Sequence, residues 1–219
     1  MRKTLLFDLD GTLLNTLEDL RDSTNFALRT YGYPERSLEE VRRFVGNGLK
    51  MLLTRAVPQS SSEAEIERAL ACMKAHYCKN YHNKTVPYPG IPELLQRLQQ
   101  AGFRMAIVSN KADPAVQLIR TLYFDGIIDV AVGESSACAK KPAPDMVLAA
   151  LQRLGSTADD AIYLGDSEVD LQTARNSGLP CATVGWGFRT EAELRAAGAQ
   201  TIYHSPEALG KALLNGSIQ

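Results

Sequence analysis

The sequence predicts an α/β protein: a doubly wound, mostly parallel sheet with an all-helical cap domain inserted into it. Three observations lead there. Short, nearly continuous apolar runs recur along the chain. Amphipathic segments with helix start and stop signals lie between them. One long stretch, residues 15–86, carries helical patterns and no such run.

The runs fall at 4–7, 105–108, 127–132, 161–164 and 181–184. Apolar runs without alternation are the mark of parallel strands covered on both faces. In the intervening segments, Asp113-Pro114 reads as a cap followed by a first-turn proline. Gly102, Gly155 and Gly178 sit where helices stop. Strand alternating with helix over 87–219 implies βαβ units and a parallel sheet.

Within 15–86, Leu17, Leu20, Ala27, Leu28 and Tyr31 share one helical face that Gly32 ends. Ser37-Leu38-Glu39-Glu40 and Ser62-Glu63-Ala64-Glu65 are capping boxes that open a second and a third helix. Ile66, Leu70, Met73, Tyr77 and Tyr81 form the apolar stripe of the third and read as core. The predicted domains are therefore 1–14 with 87–219 as an α/β core, and 15–86 as a helical cap hung on two linkers.

Composition narrows the function classes. Of 219 residues, 45% are hydrophobic and 22% charged, which suits a globular chain. A net charge of −1 offers no basic field for nucleic acid. No apolar run approaches the ~18 residues of a membrane span, and Asp8 interrupts the N-terminal run too early for a signal peptide. Cys72, Cys78, Cys138 and Cys181 form no CxxC pair and read as the reduced thiols of a cytoplasmic protein, monomer or homodimer. His76 and Cys72 lie four apart, but without a second ligand pair they do not make a metal site. Trp186, flanked by glycines, suits core packing or a loop role.

Four segments can carry chemistry. In Asp8-Leu9-Asp10-Gly11-Thr12, directly after the first run, a period of two aims both acids to one side. Two acids so close repel unless a cation lies between them or one is protonated. Gly165-Asp166-Ser167-Glu168-Val169-Asp170 follows another run and opens a helix, with Asp166 and Asp170 four apart on one face of its first turn. Ser109-Asn110-Lys111 ends the 105–108 run, where a hydroxyl and amides can cradle an anion. Lys140-Lys141-Pro142 stands before a further helix, with Lys141 held extended by the proline. Each alone also suits a bland role: solvated turn aspartates, dipole-stabilising acids, a polar turn, a surface lysine pair. Together they converge on the carboxyl edge of one sheet, where open α/β folds bind ligands. Hard oxygen ligands beside a hydroxyl and a lysine make a site for Mg²⁺ and phosphoryl transfer.

The ordered set Asp8-x-Asp10-Gly11-Thr12, Ser109-Asn110-Lys111, Lys141-Pro142 and Gly165-Asp166-x-x-x-Asp170 resembles the haloacid dehalogenase superfamily over the whole chain, helical cap included. The resemblance implies a Rossmann-like core and a Mg²⁺-dependent phosphatase. Asp8 would be the nucleophile that forms an aspartyl-phosphate, Asp10 the general acid and then base, and Lys141 the neutralising cation. Thr12, Ser109 and Asn110 would bind substrate. Asp8, Asp10, Asp166 and Asp170 would form the metal site, Asp170 through water or by orienting Lys141. Asp10 separates the chain from the metal-free dehalogenases of that superfamily. The cap segment Phe44-Val45-Gly46-Asn47-Gly48-Leu49-Lys50 and the loop Val184-Gly185-Trp186-Gly187 look like those of phosphoglycolate phosphatases. Gly46, Asn47, Gly48 and Lys50 would then meet a small phosphorylated metabolite, 2-phosphoglycolate first, as the cap closes over the site. The alternatives are a phosphosugar mutase of the beta-phosphoglucomutase type, a phosphatase for pyrophosphate, nucleotides or sugar phosphates, and a non-enzymatic phosphoprotein-binding scaffold. The intact acids speak against the last.

Overall fold

The computed structural model describes residues 2–46 and 48–218. Its elements, in chain order, begin with β1 (Thr4–Phe7) and β2 (Leu14–Asn15), followed by helices α1 (Leu17–Thr30), α2 (Leu38–Phe44), α3 (Leu49–Ala56) and α4 (Glu63–Asn80). Then come β3 (Val86–Pro87), α5 (Ile91–Gln100), β4 (Arg104–Ala112), α6 (Asp113–Phe124), β5 (Val130–Glu134) and α7 (Asp145–Leu154). The chain ends with β6 (Ala161–Gly165), α8 (Glu168–Asn176), β7 (Cys181–Val184), α9 (Glu191–Ala196), β8 (Ile202–Tyr203) and α10 (Pro206–Leu214). None of these helices is long and apolar enough to cross a membrane, and the four cysteines are free thiols.

Two compact units result: the chain up to Leu14 together with everything from Pro87 on, and the segment Asn15–Val86. The first is an α/β unit built on a parallel six-stranded sheet ordered β5-β4-β1-β6-β7-β8. This is the doubly wound class that the apolar runs predict. From β1 the chain steps outward through β4 to β5, then returns to β6 on the other side of β1. The reversal of strand order thus flanks β1, and such a switch point opens a crevice at the carboxyl ends of the strands.

Burial explains why β1 is so apolar. Leu5, Leu6 and Phe7 are all buried. Leu6 packs with Ala106, Val108 and Tyr163 against Met146, Val147, Ala150 and Leu151 of α7 and Ala174 of α8. Strand alternation turns Leu5 and Phe7 to the opposite face.

Three details differ from the sequence reading. The fifth strand covers 130–134 rather than 127–132, because its pairing with β4 runs from Ala106↔Val130 to Ala112↔Glu134. Asp113 is the first residue of α6 and not its cap: β4 runs straight into the helix, and the Asp113 carboxylate accepts the Gly133 N–H at 2.8 Å. The two-residue strand β8 was not foreseen.

The second unit is all helical, with α1 against α4 and α2 and α3 packed alongside. Leu20, Leu28, Val41, Leu52, Leu53, Leu70 and Met73 fill its centre. Both capping boxes are formed, Ser37 with Glu40 and Ser62 with Glu65. A fourth helix, α3, follows Gly48, whose φ of 87° suits a glycine. The start and finish of the unit are joined by Asp19. This buried carboxylate accepts the Lys84 N–H, the Thr85 N–H and the Thr85 hydroxyl at 2.8–3.1 Å.

Leu6→Ala would empty a fully buried site in the middle strand. It should cost about 2–5 kcal/mol of stability, read as a lower midpoint in urea unfolding with little change in slope.

Candidate active site

The β1–β2 connection is a tight turn folded on one carbonyl: the N–H groups of Thr12, Leu13 and Leu14 all reach Leu9 O. Gly11 turns the chain at φ 91°, and a Cβ there would collide with the Asp166 carboxylate. Asp8 continues the ladder, its N–H donating to Leu164 O of β6 at 2.8 Å, so its side chain leaves the sheet at the carboxyl edge. Its Oδ1 accepts the Leu9 N–H at 2.7 Å and pairs with Lys141 Nζ at 2.7 Å.

Lys141 comes from the connection between β5 and α7 and is almost completely buried. Besides Asp8, its ammonium meets Asp170 Oδ1 at 2.8 Å and Tyr163 Oη at 3.1 Å. Its backbone is pinned from both sides by Asn110, whose Oδ1 accepts the Lys141 N–H at 2.7 Å while its Nδ2 donates to Lys141 O at 3.1 Å. Asn110, expected at the substrate, therefore spends both ends of its amide on holding Lys141. Ser109 is buried at the same strand end, its Oγ accepting the Lys111 N–H.

Asp170 is wholly buried and accepts four donors: Lys141 Nζ, Tyr163 Oη, and the N–H and Oγ of Ser167. It is the third residue of α8, in a capping box with Ser167, whereas Asp166 precedes the cap and lies outside the helix. The first-turn pairing of the two acids is thus not how they meet. Asp166 is held by Thr12 Oγ1 at 3.1 Å and by the Phe188 N–H at 2.7 Å. Thr12, whose hydroxyl the sequence offers to a carboxylate and the resemblance to the substrate, orients Asp166.

One oxygen from each of Asp8, Asp166 and Asp170 lies within 4.8 Å of the others, the acidic cluster of the site. The Asp10 carboxylate is not part of it and instead pairs with Lys111 Nζ at 3.0 Å. Gly46 and Gly48 belong to the helical unit, in the α2–α3 connection, both with positive φ; Asn47 lies outside the described residues. Lys50, in that unit, forms ion pairs with Glu63 and Glu67.

The charges do not balance. Four carboxylates face the ammonium groups of Lys141 and Lys111, leaving an excess of two negative charges. Burial and the neighbouring Asp170 push the Asp166 carboxyl up to about 7, against the Phe188 and Thr12 donors. Burial, then Asp170, with Asp166 adding to it, also raise Asp8 well above its ordinary value, against the pull of Lys141. Burial alone would lower Lys141, but Asp170 and Asp8 outweigh it and keep the ammonium charged. A buried all-oxygen donor set with two surplus charges fits a hard divalent cation.

The loop singled out around Trp186 braces this cluster, a role that its sequence did not specify. Trp186 Nε1 donates to Thr12 O at 3.0 Å, Phe188 supplies its N–H to Asp166, and a Cβ on Gly187 would strike Asp166 and Gly11 O. The glycines flanking Trp186 were the available signal. Tyr163 was missed, hidden in an apolar strand run.

The haloacid dehalogenase-like hydrolase family model matches residues 5–184, and the chain belongs to that family. It is a phosphatase by the company it keeps. It is 32% identical over 187 residues to the phosphoglycolate phosphatase of Aquifex aeolicus, covering 85% of this chain and 86% of that one. With the phosphoglycolate phosphatase of Mesorhizobium japonicum it shares 34% identity, over 85% and 84% of the two chains. A crystal structure from Lactobacillus delbrueckii subsp. bulgaricus, provisionally assigned as a phosphoglycolate phosphatase, matches with TM-score 0.93 and 36% identity over 97% of this chain and 99% of that one. CbbY of Rhodobacter sphaeroides, solved with xylulose-(1,5)bisphosphate, matches with TM-score 0.70 and 27% identity over 94% and 95%.

Two predictions follow from this geometry. The raised Asp8 and Asp166 keep protons in the folded state at pH values where the unfolded chain, with ordinary carboxylates, has released them. Stability of the metal-free protein should therefore fall as pH rises from about 4 to about 7, and saturating Mg²⁺ should remove most of the fall in melting temperature. Gly187→Ala should weaken Mg²⁺ binding by about 10–100-fold, as displaced supports of a ligand do, measured by calorimetric titration.

Proposed function

We propose that the protein is a Mg²⁺-dependent phosphomonoesterase that hydrolyses 2-phosphoglycolate to glycolate and phosphate through an aspartyl-phosphate. The observation that carries this reading is Asp8, a buried strand-end carboxylate braced by Lys141 and the Leu9 N–H beside an acidic cluster with surplus negative charge. The substrate follows from the similarity to phosphoglycolate phosphatases over most of both chains.

Asp8 attacks phosphorus with one oxygen while Lys141 and the Leu9 N–H hold the other, which fixes the direction of approach. The P–O bond to the leaving group breaks as Asp10 supplies the proton to the departing oxygen. Asp10, now a carboxylate, takes a proton from water as that water attacks the aspartyl-phosphate, and phosphate departs. Ser109 Oγ binds the transferring phosphoryl group. Asp8 and Asp166 hold Mg²⁺, which when bound cancels the repulsion between carboxylate and phosphate. Asp170, saturated by four donors, serves as the anchor of Lys141. Asp10, engaged by Lys111, serves the proton rather than offering its carboxylate to the metal. Gly46 and Gly48 remain assigned to substrate selection. A second reading, a phosphatase for sugar phosphates, rests on the similarity to CbbY.

Asp8→Asn should lower kcat by more than about 10³-fold, since it removes the nucleophile. Acid quenching should trap a phosphoenzyme in the wild type and none in the variant; near-normal turnover by the variant would refute the covalent route. Chelation with EDTA should abolish phosphate release, and added Mg²⁺ should restore it. A panel of phosphoglycolate and sugar phosphates decides between the two substrates.

A further inference from the structure

Among the four carboxylates of the site, three are fixed by groups already described: Asp8 by Lys141 and Leu9, Asp166 by Thr12 and Phe188, Asp170 by its four donors. Asp10 is different. Its turn gives it no backbone cradle, and its side chain is partly open to solvent, at 22% exposure. Among the described residues its carboxylate has one side-chain partner, the ammonium of Lys111, at 3.0 Å from Oδ1 and 3.3 Å from Oδ2. Both oxygens are gripped by one cation.

Lys111 is itself unusually confined. Its side chain is 6% exposed, although lysine is rarely buried without a partner. The backbone around it is equally constrained. The Lys111 N–H donates to Ser109 Oγ, and its carbonyl passes so close to Gly133 that a Cβ there would collide with it. Between Val108 and Ala112 the pairing of β4 with β5 shifts register, an irregularity of the kind that re-aims side chains beside active sites. The sheet thus delivers a buried ammonium from the end of β4 to the acid on the neighbouring β1 turn.

The geometry points to Lys111 as a positioning residue for Asp10: its contact with both oxygens fixes the direction of the side chain, and when one oxygen carries the proton destined for the leaving group the other keeps the ammonium. This rests on the reading of Asp10 as the acid that protonates the leaving group. Lys111 forms no bond to phosphorus and carries no proton to substrate; it removes the rotational freedom of a short, partly exposed side chain. A positioned general acid is worth most when the leaving group is a poor one, and little when it departs readily as an anion.

The test compares kcat/KM for 2-phosphoglycolate, whose alkoxide needs a proton, with that for p-nitrophenyl phosphate, whose phenolate does not. This ratio covers the steps through leaving-group departure, so hydrolysis of the aspartyl-phosphate, common to both, drops out. Lys111→Met keeps the stem and removes the charge. It should lower kcat/KM on phosphoglycolate by about 100-fold and on the aryl ester by less than about 3-fold, which also shows that the variant is folded. Lys111→Arg should recover most of the loss. Asp10→Asn should show the same asymmetry, and the double variant should be no worse than Asp10→Asn alone. Equal losses on both esters in Lys111→Met, or additive losses in the double variant, would overturn the role of Lys111 while an asymmetric Asp10→Asn leaves the acid in place. No asymmetry in Asp10→Asn would overturn both.

Discussion

One buried ammonium group organises the carboxyl edge of the sheet. Lys141 Nζ lies between Asp8 and Asp170, and a charge taken so far from water is tolerated only with excellent geometry and every donor satisfied. The surrounding chain supplies that geometry. Asn110 clamps the Lys141 backbone, Tyr163 offers its hydroxyl from β6, and the capping box of α8 fixes Asp170. Four separate elements are thereby tied to one cation. The order of the sheet makes this feasible, because β1 lies between β4 and β6 and all three end at the same edge.

The same edge is deliberately short of positive charge. Its acids are crowded and dry enough that burial and mutual repulsion raise Asp8 and Asp166 above their ordinary values in the absence of a cation. An apolar or evenly charged site would be more stable, but it would have no appetite for a divalent ion or for the phosphate that follows it. The braces on Asp166 from Thr12, Phe188 and the glycine at 187 keep the crowded carboxylates from relaxing apart. Stability is given up locally, and a cation bound there would restore it.

How far all this could be read from residues alone depends on the range of the interaction. The buried strands were legible because a strand covered on both faces has no polar side to show, and the acids of 8–10 and 166–170 because they follow such runs. Helix α3 was not legible because Gly46 and Gly48 mask its start. Tyr163 looked like any apolar strand residue, since nothing local says that its hydroxyl meets Lys141. The Thr12 hydroxyl reads as a holder of some carboxylate or of substrate, and Asn110 as a substrate contact. Their partners are Asp166 and Lys141, 154 and 31 positions away, and such pairings are made by the sheet and not by the local pattern.

The Asp19 latch carries a consequence for how such a molecule is put together. By binding the backbone of Lys84 and Thr85 to the beginning of α1, it brings the entry and exit of the helical segment side by side. To the sheet, the whole segment is then equivalent to a short hairpin loop, and the entropic toll of closing a long detour between β1 and β4 disappears once the helices have folded. A segment with adjoining ends can be lengthened, trimmed or exchanged without asking the sheet to change. The sheet and its acids can keep their form while the inserted helices change.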